Sequence, residues 1–260
     1  MNDEVNQVIF VGAGPGDPEL ISVKGMKALE NADLIIYAGS LVPEAVLIWA
    51  KESAKILNSA SMHLEEIITA IKEIHNDNGR VVRLHTGDPA LYGAIYEQMK
   101  ELDKFKIPYK VIPGITAAFA AAAAMNIEYT LPEITQTLIL TRISGRTKVP
   151  ETESLESLAK HQASLAIYLS IMHVEKVGEI LSSAYGPDAN CAVAFRVSQP
   201  EQKIFYTKAS EVAALVKEKK IDHQALIIIS KSLDVKASGL GLKYKSKLYA
   251  EDFKHGYRNG

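Results

Sequence analysis

Short apolar runs alternate with amphipathic stretches along the first half of the chain. The runs Val8-Ile9-Phe10-Val11, Leu34-Ile35-Ile36-Tyr37, Val81-Val82-Arg83-Leu84-His85 and Tyr109-Lys110-Val111-Ile112 each lead into a glycine-bearing loop. Mainly apolar runs of this length suit strands covered on both faces. Between them, Leu64, Ile67, Ile68, Ile71 and Ile74 recur at helical spacing and predict one apolar helix face. Ser22 is placed to cap a helix reaching about Asn31. Strand, loop and helix in rotation predict an α/β unit with a largely parallel sheet.

The second half has a different texture. Strands are expected at 137–141, 164–168, 191–197, 203–207 and 225–230, and helices at 154–161, 174–184 and 210–219. The five residues from Ser198 to Gln202 are too few for a parallel crossover, so strands 191–197 and 203–207 should form a hairpin within a mixed sheet. The expected organisation is therefore an N-terminal α/β domain over 1–115, a C-terminal α/β domain over 116–233 and a tail over 234–260. That tail shows no clear period, although Lys247-Leu248-Tyr249 suits a short edge strand.

Composition narrows the function classes. The 260 residues carry a net charge of -2, from 29 Lys and Arg against 31 Asp and Glu, which argues against a nucleic-acid partner. A single cysteine, Cys191, rules out an intramolecular disulfide and suits a reducing, cytoplasmic setting. The polar stretch from Met1 to Gln7 has no signal-peptide pattern, and no apolar run reaches membrane-spanning length.

Three loops carry the candidate chemistry. Gly12-Ala13-Gly14-Pro15-Gly16-Asp17 follows the first strand, but Asp17 stands where a dinucleotide fingerprint needs its third glycine. Pro15 also removes an amide that would cradle phosphate. Thr86-Gly87-Asp88-Pro89-Ala90-Leu91-Tyr92-Gly93 reads structurally as Asp88 capping a helix with Pro89 in its first position. Pro113-Gly114-Ile115-Thr116 reads as a turn, with Thr116 capping an alanine-rich helix. Each loop has such a plain structural reading, yet all three follow strands and are expected to converge on one crevice. No Walker lysine, HExxH pair or cysteine cluster is present, so the expected metal set is empty. Among the histidines only His85 sits at a strand end of interest.

These loops, in this order, resemble the tetrapyrrole (precorrin) methylase family. The matching pieces are Val11–Leu20 (VGAGPGDPEL), Lys24-Gly25, Ala32-Asp33, Thr86-Gly87-Asp88-Pro89 and Pro113-Gly114-Ile115-Thr116-Ala117, and the likeness covers about residues 7 to 232. Tyr37-Ala38-Gly39-Ser40-Leu41-Val42-Pro43, Met62-His63-Leu64-Glu65-Glu66 and residues 138–147 look like the branch that methylates C-11 of precorrin-4, closest to the cobalt-precorrin-4 type.

The resemblance implies a two-domain α/β homodimer that binds S-adenosylmethionine as methyl donor, folded into a cleft between the domains. It implies cofactor contacts at Pro15, Gly87, Asp88, Leu91, Thr116 and Ala117, and at Leu169, Val197 and Ala225 in the second half. Leu169 departs from the family, which often has Met there. The usual aspartate of the Tyr-Asp-x-Leu-Val stretch is replaced by Gly39 or Ala38. The implied tetrapyrrole carries many carboxylates, so a cationic rim is expected from Lys24, Arg83, Arg142, Arg146 and Arg196. Substrate contacts are expected at Ser40, Leu41, Met62, His85, Arg142 and Arg146. No catalytic base is assigned. The rival readings are a precorrin methylase acting at another ring carbon, and a non-catalytic tetrapyrrole- or nucleotide-binding module on the same fold.

Overall fold

The structure is a computed structural model that describes residues 6–238 together with 253 and 254. The expected edge strand at Lys247-Leu248-Tyr249 lies outside the described residues, as does His255. The first half runs β1 (Val8–Gly12), α1 (Val23–Glu30), β2 (Leu34–Tyr37), β3 (Lys55–Asn58), α2 (Leu64–Asn76), β4 (Val81–His85), α3 (Ile95–Lys104), β5 (Tyr109–Ile112) and α4 (Ala117–Met125). The second runs β6 (Leu138–Arg142), α5 (Leu155–Ala159), β7 (Ser164–Tyr168), α6 (Val174–Tyr185), β8 (Asn190–Phe195), β9 (Lys203–Lys208), α7 (Val212–Glu218), β10 (Ala225–Ile229) and α8 (Lys231–Ser238).

Two compact units result. The first holds the described residues up to Ala120 and also Val197–Pro200. The second holds Ala121–Arg196 and the described residues from Glu201 onward. The division falls inside α4, and α8 runs across position 234, where the tail was expected to begin.

The first sheet has the order β3-β2-β4-β1-β5 and is parallel throughout. Alternate strand residues feed two separate cores. Val11, Ile35, Val82 and Leu84 pack with Leu29 of α1 and with Val46 of a 3-10 turn at Glu44–Trp49. Val8, Phe10, Leu34, Ile36 and Val81 pack with Ile67, Ile68 and Ile71 of α2 and Leu102 of α3. Each such fully buried aliphatic side chain contributes roughly 1.5–3 kcal/mol. The chain therefore leaves β1 toward one face of the sheet and leaves the neighbouring β4 toward the other. Adjacent strands whose connections part in this way mark the place where open parallel sheets bind ligands.

The second sheet is mixed, in the order β6-β7-β10-β8-β9. Only β6 and β7 pair in parallel. Ile167, Val193, Ile227 and Ile229 face Leu155 of α5, Val177 and Leu181 of α6, and Val212 and Val216 of α7.

Ser22 caps α1, its hydroxyl accepting from Gly25 N, as its position predicts. Two elements had no clear sequence signal. The edge strand β3 has an exposed, partly polar sequence, and the apolar face of α3 is short, limited to Ile95, Met99 and Leu102. The expected helix start at Asp88-Pro89 is overturned. Residues 88–92 form turns, and α3 begins only at Ile95, after Ala94 in the left-handed region. The Asp88 carboxylate bonds Ala90 N within this turn and Gly114 N in another loop.

Candidate functional site

The three glycine-bearing loops meet at the carboxyl ends of β1, β4 and β5. Ala13 N donates to His85 O at 2.7 Å, while Gly14 and Gly87 exchange both their amide bonds, at 3.2 and 2.8 Å. Gly14 and Gly87 adopt positive φ, 75° and 58°, a region that glycine enters without a Cβ penalty. A Cβ on Gly12 would stand 2.6 Å from Gly114 Cα and 2.6 Å from Gly87 O. The three backbones are thus in direct contact.

Asp88 locks this clasp. One carboxylate oxygen accepts from Ala90 N at 2.8 Å and the other from Gly114 N at 2.9 Å. A single side chain therefore fixes its own loop and joins it to the loop after β5. Such charge-assisted bonds are stronger than neutral ones.

A fourth segment joins the clasp from far along the chain. Asp17 N donates to Ser198 Oγ at 3.1 Å, and a Cβ on Gly16 would stand 2.5 Å from Gln199 Cγ. Ser198 and Gln199 are functional candidates that sequence reasoning missed. A contact across 181 positions leaves no local pattern to find.

The structure brings together Pro15, Gly87, Asp88, Leu91, Thr116 and Ala117 in these loops. Pro15, Gly87 and Thr116 are buried, and Asp88, Leu91 and Ala117 half-buried. Tyr92, Ile115 and Phe119 stand exposed in the same loops and the first turn of α4. Exposed apolar groups clustered beside a structured loop mark a contact surface for a ligand or partner.

Val197 also falls in the first unit and is buried. In the second unit, Leu169 follows β7 with φ of 51° and is 60% exposed. A branched residue held in the left-handed region, with its side chain in solvent, stores strain of the kind found at ligand sites. Ser170 fixes this bend by donating to Tyr168 O at 2.6 Å and accepting from Ile143 N at 2.9 Å. Ala225 opens β10 opposite Phe195 and is half-buried.

The expected substrate residues divide. Ser40 is exposed, and Leu41 half-buried, in the loop after β2; Met62 is half-buried before α2 and packs on that helix's core. Arg146 is exposed in the loop after β6. Arg142 is tied down locally: its guanidinium donates to Ile143 O, Thr147 O and Lys148 O at 3.0–3.3 Å. It braces its own loop, which engages three of its five N–H donors. Arg196 reaches the His223 ring at 3.2 Å and Glu201 at 3.7 Å.

Two corrections concern β4. Arg83 was expected on a cationic rim, and His85 against substrate. Both side chains are buried, at 5% and 4% exposure, because alternation along β4 turns them to the face covered by α2 and α3. His85 packs on the Phe10 ring at 6.0 Å, and its Nε2 has no hydrogen-bond partner among the described residues. Burial, reinforced by the Arg83 charge, pushes its pKa down to about 3.

The imidazole is therefore neutral at physiological pH, and a pH dependence of stability follows. Below about pH 6.5 the unfolded chain binds a proton here that the folded chain refuses, so stability falls as the pH drops toward 3 and is level above 6.5. Each unit inside that window costs about 1.4 kcal/mol. Urea unfolding at roughly pH 7 and pH 5 should show a loss of about 2 kcal/mol from this group. His85→Gln should remove most of that difference; an unchanged pH slope in the variant would reject the assignment.

The loops 12–17, 86–92 and 113–117 contain two aspartates and no Lys or Arg. A pyrophosphate would find neither a counter-charge nor an open crevice, because the paired backbones of Gly14 and Gly87 fill the space between β1 and β4. A phosphate-free or cationic ligand meets no such obstacle. A Cβ on Gly87 would come no nearer than 3.5 Å to Thr116 Cα, with Ile115 O and Thr116 Oγ1 next at 3.8 and 3.9 Å, so this glycine is not crowded as Gly12 and Gly114 are. Among the described residues no three His, Cys, Asp or Glu side chains gather as a metal site, and no helix is long and apolar enough to cross a membrane.

Comparison with known proteins adds chemistry to this geometry. Residues 7–213 match the family of tetrapyrrole (corrin/porphyrin) methylases. The chain is 48% identical over 257 residues to the cobalt-precorrin-4 C(11)-methyltransferase of Methanocaldococcus jannaschii, covering 98% of this chain and 97% of that protein. It is 43% identical over 253 residues to the precorrin-4 C(11)-methyltransferase of Pseudomonas aeruginosa, covering 97% and 99%. Among solved structures, a cobalt precorrin-4 methyltransferase of cobalamin biosynthesis superposes with a TM-score of 0.85 at 42% identity, covering 87% of this chain and 95% of that one. A uroporphyrin-III C-methyltransferase from Thermus thermophilus, complexed with S-adenyl homocysteine, superposes with a TM-score of 0.71 at 25% identity, covering 88% and 94%.

Proposed function

This chain belongs to the tetrapyrrole methylase family, and from that premise we propose that it transfers a methyl group from S-adenosylmethionine to C-11 of a precorrin-4-type macrocycle in cobalamin biosynthesis. The observation that carries the reading is the clasp of three glycine loops locked by Asp88. It offers main-chain polar groups and a carboxylate without a basic phosphate cradle, which fits a sulfonium cofactor.

Pro15, Gly87, Asp88, Leu91, Thr116 and Ala117 hold the cofactor, and Leu169, Val197 and Ala225 complete the set. When bound, S-adenosylmethionine supplies an already activated methyl group. The chain's task is then alignment and the exclusion of water, and alignment alone can supply several kcal/mol. The backbone clasp suits that task because it has no side-chain rotamers to order. Tyr92, Ile115 and Phe119 supply apolar surface that sheds water beside it.

Ser40, Leu41 and Met62 contact the macrocycle, and the exposed Arg146 meets one of its carboxylates. Arg142 acts through the loop it braces. Exposed ion pairs contribute about 0.2–1 kcal/mol. Arg146→Ala should accordingly raise KM for the tetrapyrrole roughly two- to five-fold and leave cofactor affinity unchanged. Equal loss of both ligands in steady-state and calorimetric assays would count against a substrate-side role. The protein works as a homodimer in the cytoplasm, on substrate carrying cobalt.

Product analysis tests the whole reading. The protein is given methyl-labelled S-adenosylmethionine with metal-free or cobalt-loaded precorrin-4, and the product is read by carbon NMR. Label at C-11 is expected, with the cobalt substrate turned over faster. Label at another ring carbon would assign a different methylase, and no transfer to either substrate would leave only a binding module.

A further inference from the structure

We propose that Arg83 is a positioning residue for methyl transfer: its buried guanidinium ties the strand end that carries the Ser40–Leu41 loop to the first turn of α3. The inference rests on the function proposed above. Arg83 Nη1 donates to Ile36 O at 2.9 Å, and Nε donates to Gln98 Oε1 at 2.9 Å. Gln98 relays the contact by donating from Nε2 to Ala94 O at 3.2 Å. The path therefore runs Ile36 O, Arg83, Gln98, Ala94 O.

Both ends of that path lead into candidate site loops. Ile36 lies four residues before Ser40. Ala94 closes the segment that starts at Asp88 and includes Tyr92, and both Tyr92 and Ala94 have positive φ, 57° and 49°. No side chain caps α3 at Ala94. The bend is thus strained, and Gln98 holds the carbonyl at its end from within the helix.

The charge itself needs explaining. Arg83 is 5% exposed, and its surroundings are Phe10, Ile36, Val81 and the apolar faces of α2 and α3. No carboxylate among the described residues pairs with it; burial alone lowers its pKa, to about 10. A buried charge of this kind is costly, and apolar residues of similar size often serve stability as well or better. The guanidinium does what an apolar side chain cannot, because its planar fork reaches two fixed acceptors on different elements at once.

Two variants separate positioning from packing. Gln98→Glu keeps an acceptor for Arg83 and removes the donor to Ala94 O. Arg83→Met combined with Gln98→Met replaces both partners by apolar groups and orphans neither side chain. Each variant is compared with the wild type for kcat on precorrin-4, S-adenosylhomocysteine affinity, melting temperature and amide exchange. We expect kcat to fall roughly 10- to 100-fold, at unchanged melting temperature and with the cofactor affinity within about three-fold, since the Asp88 clasp is untouched. Exchange at Tyr92, Gly93 and Ala94 should quicken in Gln98→Glu. Wild-type kcat in both variants would overturn the proposal, as would a loss of activity that only tracks the folded fraction. Unchanged exchange at the bend would overturn it whether or not the protein methylates precorrin-4. Failure of the wild type to methylate precorrin-4 would instead count against the function on which the proposal rests.

Discussion

Gly114→Ala is expected to destabilise the first unit and abolish binding of S-adenosylhomocysteine. The new methyl group would overlap Gly87 O and lie 2.8 Å from Gly12 Cα. Those atoms are backbone, so no rotamer change relieves the clash. Either the loop after β5 lifts off, breaking the bond from Gly114 N to Asp88, or the pairing of Gly14 with Gly87 opens. Overpacking of this kind costs about 3 kcal/mol, which lowers the melting temperature by roughly 6–12 °C for a chain of this size. Thermal unfolding and calorimetric titration of the same preparation check both halves. A variant that melts like the wild type and still binds the cofactor would mean that the three backbones do not touch.

Asp88→Ala removes the lock and leaves the glycine contacts in place. Ala90 N and Gly114 N lose a charged acceptor, and hydrogen bonds to charged groups contribute about 1.5–3 kcal/mol each. Both amides lie near the surface, so water recovers part of that loss and the fold survives. The cost falls on binding, because the loops must now be ordered when the cofactor arrives. S-adenosylhomocysteine affinity should drop roughly 10- to 100-fold, or about 1.4–2.7 kcal/mol. Asp88→Asn retains one acceptor oxygen and should fall between the two. Unchanged affinity in Asp88→Ala would remove this residue from the cofactor site.

The two glycine and aspartate variants act on one piece of geometry from opposite sides. Alanine at 114 adds an atom where none fits, and alanine at 88 removes the atoms that hold the fit together. The Arg83 path differs from both. It lies beneath the loops, inside the layer formed by β4 and α3, and should move turnover more than affinity.

Where a residue's role is set by near neighbours in the chain, it was legible before any coordinates. The apolar runs at Val8, Leu34, Val81 and Tyr109 predict four strands of the parallel sheet, and Ser22 its helix cap, because a short apolar run and a cap are properties of a few adjacent residues. The strand-loop order also implied that the glycine loops would share one edge, since parallel strands end on the same side. Tertiary structure alone decided what the side chains in those segments do. Asp88 was read as a helix cap and instead bonds Gly114 N, 26 positions away. Arg83 and His85 looked like surface groups at a strand end, and the packing of α2 and α3 encloses both. Arg142 looked free and is held by its own loop, while Ser198 reaches Asp17 from the far end of the chain. The physical reason is the same in each case. A polar group's partner is set by whichever backbone amide or carbonyl the completed packing brings within 3 Å, and local sequence pattern carries no measure of that distance.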